Sequence, residues 1–365
     1  MDDYKTLQNL HEFESAAAAR LPKMVFDYYA GGAGDEVTVR GARDAWDRLS
    51  IRYRVLRDVS QRTLSTHILR DDLKFPLMIA PMAFQRLATP EGELATARAA
   101  DATGVGLILS TLATTSIEDV RGAMRGPLWF QLYIYRDRGA SQALVERAER
   151  TGCTALVLTV DSPLLGRRER DARNGFHVGA EFTVPNLTGD PRMTLAAGGD
   201  PHGGGGSALA SFVQKHWDAG ISWADVEWLR SVTKLPILVK GIVRGDDAAL
   251  ALEHGAAGVI VSNHGGRQLD TAMPSPRALP EVADAMAGRG AILVDGGIRR
   301  GTDIIKALAL GAHAVLLGRP VLWGLALGGA AGATRVLELL RDETDLAMAL
   351  SGARTPAELT RDFVV

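Results

Sequence analysis

Eight short, nearly continuous apolar runs recur along the chain, and no other feature restricts its possible folds so strongly. They are Leu77–Ala80, Gly106–Ser110, Leu128–Leu132, Ala155–Thr159, Ile237–Lys240, Gly258–Ser262, Ile292–Asp295 and Ala314–Gly318. Runs of this length bounded by turn residues read as strands buried on both faces. Most are followed by stretches with apolar residues three and four apart: Glu91–Thr103, Gln142–Arg150, Asp246–His254, Pro280–Ala287 and Gly301–Leu310. Eight strand–helix units in series predict an α/β chain closed into a parallel (β/α)8 TIM barrel. An open doubly wound sheet would carry GxGxxG after a strand. None does, and the looser GxGxxA of Gly203–Ala208 falls inside a glycine-rich loop.

Two segments lie outside the eight units. Residues 1–70 are expected as an N-terminal helical extension, with a helix over His11–Arg20 and the stretch Met24–Ala30 leading into Gly31–Gly34. Residues 166–226, after the fourth strand, contain Pro185, Pro191, Pro201 and the run Gly198–Gly206. An insertion this long in a compact domain reads as a lid. The 365 residues are taken as a single barrel domain, 1–365.

Composition removes several classes of function. A formal net charge of −2, with arginines dispersed, gives no field for nucleic acid. The single cysteine, Cys153, excludes an internal disulfide and a cysteine-based zinc site, and no metal centre is expected. The polar first ten residues lack a signal core, and no apolar run is long enough for a bilayer, so a cytoplasmic protein without membrane contact is expected.

In such barrels the chemistry gathers at the C-terminal ends of the strands. Here those ends are Pro81-Met82-Ala83, Ser110, Gln131-Leu132-Tyr133, Thr159-Val160-Asp161 with Gly166-Arg167-Arg168 beyond, Lys240, Ser262-Asn263-His264 with Arg267 beyond, Asp295-Gly296-Gly297-Ile298-Arg299, and Gly318-Arg319. Nearly every strand delivers a polar or ionisable group at the same end, which a purely structural core gives no reason to expect.

The last two endings read as a phosphate site: glycines let backbone approach a ligand, and a guanidinium can pair with phosphate. His264 is the candidate general base, because an imidazole titrates near neutral pH, and Asp161 could orient it. Arg168 and Arg267 suit a carboxylate, with Tyr28 and Tyr133 as phenol donors to the same substrate. Tyr29 reads as packing, Arg167 and Arg170 as surface residues. Lys240 either faces an anion or is a Schiff-base lysine.

Taken together, Tyr28-Tyr29-Ala30-Gly31-Gly32-Ala33, Pro90-Glu91-Gly92-Glu93, Gln131-Leu132-Tyr133, Thr159-Val160-Asp161 and especially Ser262-Asn263-His264-Gly265-Gly266-Arg267-Gln268-Leu269-Asp270 resemble the FMN-dependent 2-hydroxy-acid oxidase and dehydrogenase family, over Tyr4 to Arg361. That resemblance implies His264 as active-site base supported by Asp161, and Arg168, Arg267, Tyr28 and Tyr133 as substrate ligands. It places Lys240 beside the flavin N1 and O2 atoms. It lines the flavin with Pro81, Met82, Ala83, Ser110, Gln131, Thr159 and Ser262. The phosphate end falls to Asp295, Gly296, Gly297, Ile298, Arg299, Gly318 and Arg319.

The implied reaction oxidises an (S)-2-hydroxy acid to the 2-oxo acid, with dioxygen as acceptor and hydrogen peroxide as product. A dehydrogenase passing electrons to a quinone or protein carrier is the alternative. A non-flavin lyase or isomerase using the phosphate site is a third reading. Leu112 stands where glycolate oxidases carry Trp, and Leu164 where they often carry Arg, which implies a substrate with an apolar or aromatic side chain. Ala83 is of the oxidase type. The family also implies a homo-oligomer, expected as a tetramer.

Overall fold

Period-2 alternation decides where every strand residue of this chain goes. The computed structural model describes residues 3–178, 183–187 and 208–365. Ten strands occur among them: β1 (Thr66–Ile68), β2 (Asp71–Leu73), β3 (Leu77–Ile79), β4 (Gly106–Ser110), β5 (Leu128–Leu132), β6 (Ala155–Thr159), β7 (Ile237–Ile242), β8 (Gly258–Val261), β9 (Ala291–Val294) and β10 (Ala314–Leu317). β3 to β10 close into a barrel, β10 pairing with both β3 and β9, and every barrel pair is parallel. All eight expected runs are barrel strands, with ends shifted by at most two residues.

One set of alternate side chains packs outward against the helices, among them Leu107, Phe130, Leu156, Val239, Val259 and Leu317. The other set points inward, and Met78, Ile108, Trp129, Val157, Leu238, Ile260, Leu293 and Leu316 form a separate apolar cluster inside the barrel. Two residues further along six of these strands, on that inward face, stand Ser110, Gln131, Thr159, Lys240, Ser262 and Asp295. The barrel interior is therefore apolar below and polar in its uppermost layer.

The lower mouth is closed by the antiparallel hairpin β1–β2, whose Ile68 and Leu73 join the interior cluster. Asp71 of the hairpin accepts hydrogen bonds from Trp129 Nε1 at 2.7 Å and Thr154 Oγ1 at 2.8 Å. The N-terminal region is thus not wholly helical. It holds helices Leu10–Arg20, Lys23–Ala30 and Val37–Asp47 before the hairpin. Its first helix starts at an Asn9 cap that accepts from the amides of His11 and Glu12.

The expected lid is also more ordered than a loop where it is described. It carries helices Glu169–Arg173 and Ala208–His216 and the start of Trp223–Val232. Its segments 179–182 and 188–207, with Pro191, Pro201 and the run Gly198–Gly206, lie outside the described residues. Among the described residues no helix is long and apolar enough to cross a membrane, and no group of His, Cys, Asp or Glu could hold a metal ion.

Candidate active site

The upper polar layer opens into a cavity. Its wall includes Tyr28, Pro81, Met82, Ala83, Ser110, Leu112, Gln131, Tyr133, Thr159, Arg168, Lys240, His264, Arg267, the segment Asp295–Arg299, Gly318 and Arg319. Residues more than 200 positions apart thus meet in one place. Asp161 and Ser262 stand one step behind the wall, each bonded to a residue that lines it.

His264 follows β8 in a left-handed conformation, φ 57°. Its backbone N–H donates to Ser262 Oγ at 3.0 Å. Its Nδ1 lies 2.8 Å from Asp161 Oδ1, and Ser162 Oγ donates to the same carboxylate oxygen at 2.9 Å. That contact places the Nδ1 proton toward Asp161 and leaves Nε2 with its lone pair free. Burial lowers the His264 pKa below the ordinary histidine value, against the opposing pull of Asp161, so the resting imidazole is neutral. Burial also opposes ionisation of Asp161, but His264, Lys240 and Ser162 outweigh it and hold the carboxylate below its usual range. Gly241, at φ 114°, lets Asp161 sit this close, since a Cβ there would lie 2.6 Å from Asp161 Cβ.

Three guanidinium groups meet at the other side of the cavity, and all are bonded to neutral acceptors. Arg168 donates to Arg267 O and Gln268 Oε1, both at 3.3 Å. Arg267 donates to the carbonyls of Tyr28 and Gly31 and lies over the Tyr28 ring, 4.8 Å from its centroid. Arg319 donates to the carbonyls of Tyr29, Gly31 and Gly265. Burial, then the nearby charge of Arg267, pulls the Arg168 pKa down to about 10. The same two causes, with Arg299, pull Arg319 down to about 9. Both remain cationic at neutral pH, and buried positive charge bonded among the described residues only to neutral acceptors is a receptor for an anion.

Tyr28 is fixed by a parallel stack on Phe176, centroids 4.0 Å apart, and Tyr133 by a stack on Trp217 at 3.8 Å. Burial raises both phenol pKa values, so each remains a donor.

Lys240 donates to Ser262 Oγ at 3.0 Å and lies 3.3 Å from Asp295 Oδ2. Burial works against its charge, but Asp295 and then Asp161 outweigh it and raise the pKa above that of an ordinary lysine. A Schiff-base lysine needs the neutral amine, so this environment disfavours the aldolase reading. Beside it a hydrogen-bonded row crosses three strands: Ser110 Oγ donates to Gln131 Oε1 at 3.3 Å and Gln131 Nε2 to Thr159 Oγ1 at 3.0 Å.

Buried Glu93 pins the loops after β3 and β4 together. It accepts from the amides of Gln85 and Thr114 and the hydroxyls of Thr114 and Thr115, fixing the loops that carry Ala83 and Leu112.

The glycines after β9 were expected to clear space for a ligand, and at Gly297 the packing adds a second reason for glycine. A Cβ at Gly297 would meet the carbonyl oxygen of Ala42 at 2.7 Å, on the helix Val37–Asp47 behind the cavity. Positive φ at Gly296 and Gly297, 94° and 78°, gives a further requirement for glycine. Leu164 is exposed and off the cavity wall, while Leu165, Leu209, Trp217 and Tyr29 line it. Tyr29 also donates its hydroxyl to Phe84 O at 2.7 Å.

The donor set fits a flavin mononucleotide. Among the described residues, the N–H groups of Gly296, Gly297 and Ile298 have no protein acceptor, which suits a phosphate. Buried Asp295 Oδ1 has no partner, which suits a hydroxyl-bearing chain. The buried Lys240 cation suits an electron-accepting ring.

The barrel and this donor set are those of a flavin oxidoreductase. A profile of the FMN-dependent dehydrogenase family matches residues 17–365, and the chain belongs to that family. It is 52% identical over 360 residues to an L-lactate oxidase of Nostoc sp., covering 98% of this chain and 97% of that protein. It is 48% identical over 358 residues to a glycolate oxidase of Spinacia oleracea, covering 98% and 95%. The crystal structure of a mandelate oxidase with (S)-4-hydroxymandelic acid superposes with a TM-score of 0.92 at 42% identity, covering 98% of each chain.

Proposed function

We propose that this chain oxidises (S)-2-hydroxy acids to 2-oxo acids, with dioxygen as acceptor and hydrogen peroxide as product. The observation that carries this reading is His264, its Nδ1 2.8 Å from Asp161 Oδ1, on the same cavity as Arg168 and Arg267. A general base and a carboxylate clamp on one cavity suit a substrate with an ionised acid next to a carbon bearing a hydroxyl. The relatives named as L-lactate, glycolate and mandelate oxidases support the same class.

In this reading Arg168 and Arg267 bind the carboxylate, and the phenols of Tyr28 and Tyr133 orient the oxygens of the substrate. His264 Nε2 accepts a proton from the substrate, and Asp161 stabilises the imidazolium that results. FMN, when bound, would supply the two-electron redox chemistry, so that overall the two electrons and two protons lost by the 2-hydroxy acid convert dioxygen to hydrogen peroxide. Lys240 and Ser262, with Pro81 to Ala83, Ser110, Gln131 and Thr159, would hold its ring. Asp295–Arg299, Gly318 and Arg319 would hold its phosphate end.

The wall formed by Leu112, Leu165, Leu209 and Trp217 favours an apolar or aromatic side chain on the substrate. We also take the chain as one cytoplasmic domain and, on the family resemblance, as a homotetramer; light scattering checks the assembly.

An oxygen electrode tests the acceptor. With lactate, mandelate and longer aliphatic 2-hydroxy acids, one peroxide and one 2-oxo acid should form per dioxygen consumed, faster than with glycolate. Turnover with a quinone but without peroxide would make the chain a dehydrogenase.

A further inference from the structure

The segment Gly296–Ile298 separates the cavity from the N-terminal helix Val37–Asp47, and two side chains of that helix hold it from behind. Trp46 Nε1 donates to Gly296 O at 2.8 Å, and Arg43 donates to Gly297 O at 2.9 Å. A trans peptide is planar, with its C=O and N–H pointing in opposite directions. Fixing Gly296 O toward Trp46 therefore turns the Gly297 N–H away from the helix, and fixing Gly297 O toward Arg43 does the same for the Ile298 N–H. The helix lies on one side of this segment and the cavity on the other, and both amides are without a protein acceptor among the described residues.

Both anchors are themselves fixed. Trp46 is fully buried, and its carbonyl accepts from Lys306 Nζ at 2.8 Å. Arg43 is held in a fork by the buried Asp303, whose carboxylate also accepts from the amides of Arg299 and Arg300 at 2.9 Å.

We propose that Trp46 and Arg43 are positioning residues that aim the Gly297 and Ile298 amides at the cofactor phosphate, so that the N-terminal helix determines how strongly the chain prefers FMN to riboflavin. This rests on the reading of Asp295–Arg299 as the phosphate cradle, and the test separates the two. Amides held in place bind phosphate without first having to be ordered, whereas amides free to rotate lose part of that gain. The flavin ring contacts come from other elements, so the effect is confined to the phosphate.

The experiment is competition on the holoenzyme. Wild type, Trp46→Phe and Arg43→Gln are each equilibrated with an equimolar excess of free FMN and riboflavin, and the protein-bound flavins are separated and quantified. Wild type should hold FMN almost exclusively. Each variant should lower the bound FMN-to-riboflavin ratio by about tenfold, the order of one hydrogen bond to a charged group. Arg43→Gln keeps Trp46 intact if Trp46→Phe does not fold.

Variants that lose both flavins in proportion, with the ratio unchanged, would show a structural role only and overturn the proposal. A wild type that binds both flavins equally would remove the cradle reading itself. A wild type that prefers FMN beside variants with the same preference would remove the positioning role and leave the cradle standing.

Discussion

The two mouths of the barrel are made by the same strands and differ in what their polar groups are bonded to. At the lower mouth the hairpin carboxylate of Asp71 accepts from Trp129 and Thr154. At the upper mouth, Asp161 Oδ2 and Asp295 Oδ1 are buried without a hydrogen-bond partner among the described residues. Among the described residues, the amides of Gly296 to Ile298 have no protein acceptor, and three guanidinium groups meet only neutral oxygens. An unpaired buried polar group costs of order 1–3 kcal/mol. One mouth carries that cost repeatedly and the other avoids it, so the upper mouth has bonding capacity left for a ligand and the lower one holds the fold.

The contrast breaks most visibly at His264. Replacing it with Ala should leave FMN bound and slow flavin reduction by roughly 10²–10⁴-fold, the range for losing a general base. Stopped-flow absorbance measures it, and reduction at the wild-type rate would transfer the role of base to another residue. Arg267→Met should both raise KM and lower kcat, together costing about 10²-fold in kcat/KM, because a clamp binds and orients. An unchanged KM would move the carboxylate elsewhere.

The pH dependence sharpens the same point. Reduction requires neutral His264, whose pKa lies below the ordinary 6.5 through burial. The rate should therefore be level through neutrality and fall about tenfold per pH unit once the pH drops past that pKa. Asp161 raises the histidine pKa, so Asp161→Asn should move the inflection to lower pH.

The smallest effect on catalysis belongs to the lower mouth. Asp71→Ala strands the Trp129 N–H and should cost about 1–3 kcal/mol of stability, read as a lower Tm by a few degrees, with kcat unchanged. A large loss of kcat would mean that the two mouths are coupled.

The barrel was legible because its strands are short, apolar and covered on both faces, so each one announces itself locally. The upper polar layer was legible because Ser110, Gln131, Thr159, Lys240, Ser262 and Asp295 extend the inward face of their strands. The hairpin was missed because Thr66–Ile68 and Asp71–Leu73 are three-residue strands with charged and polar positions, too brief for a periodicity. Trp217 and Leu209 were missed because the insertion brings them to the wall from far along the chain. An isolated bridge between Tyr135 and Trp217 marks the contact only in three dimensions. At Gly297 the sequence suggests a close approach but not that the Val37–Asp47 helix is one of the groups that approaches.

The central claim is that the upper mouth strips two electrons from a 2-hydroxy acid. Anaerobic mixing of the purified protein with (S)-lactate and (S)-mandelate, followed at the visible flavin band, tests it most directly. Rapid bleaching with at least one of them is expected, with return of the colour when air is admitted. A flavin that stays oxidised with both acids would contradict it.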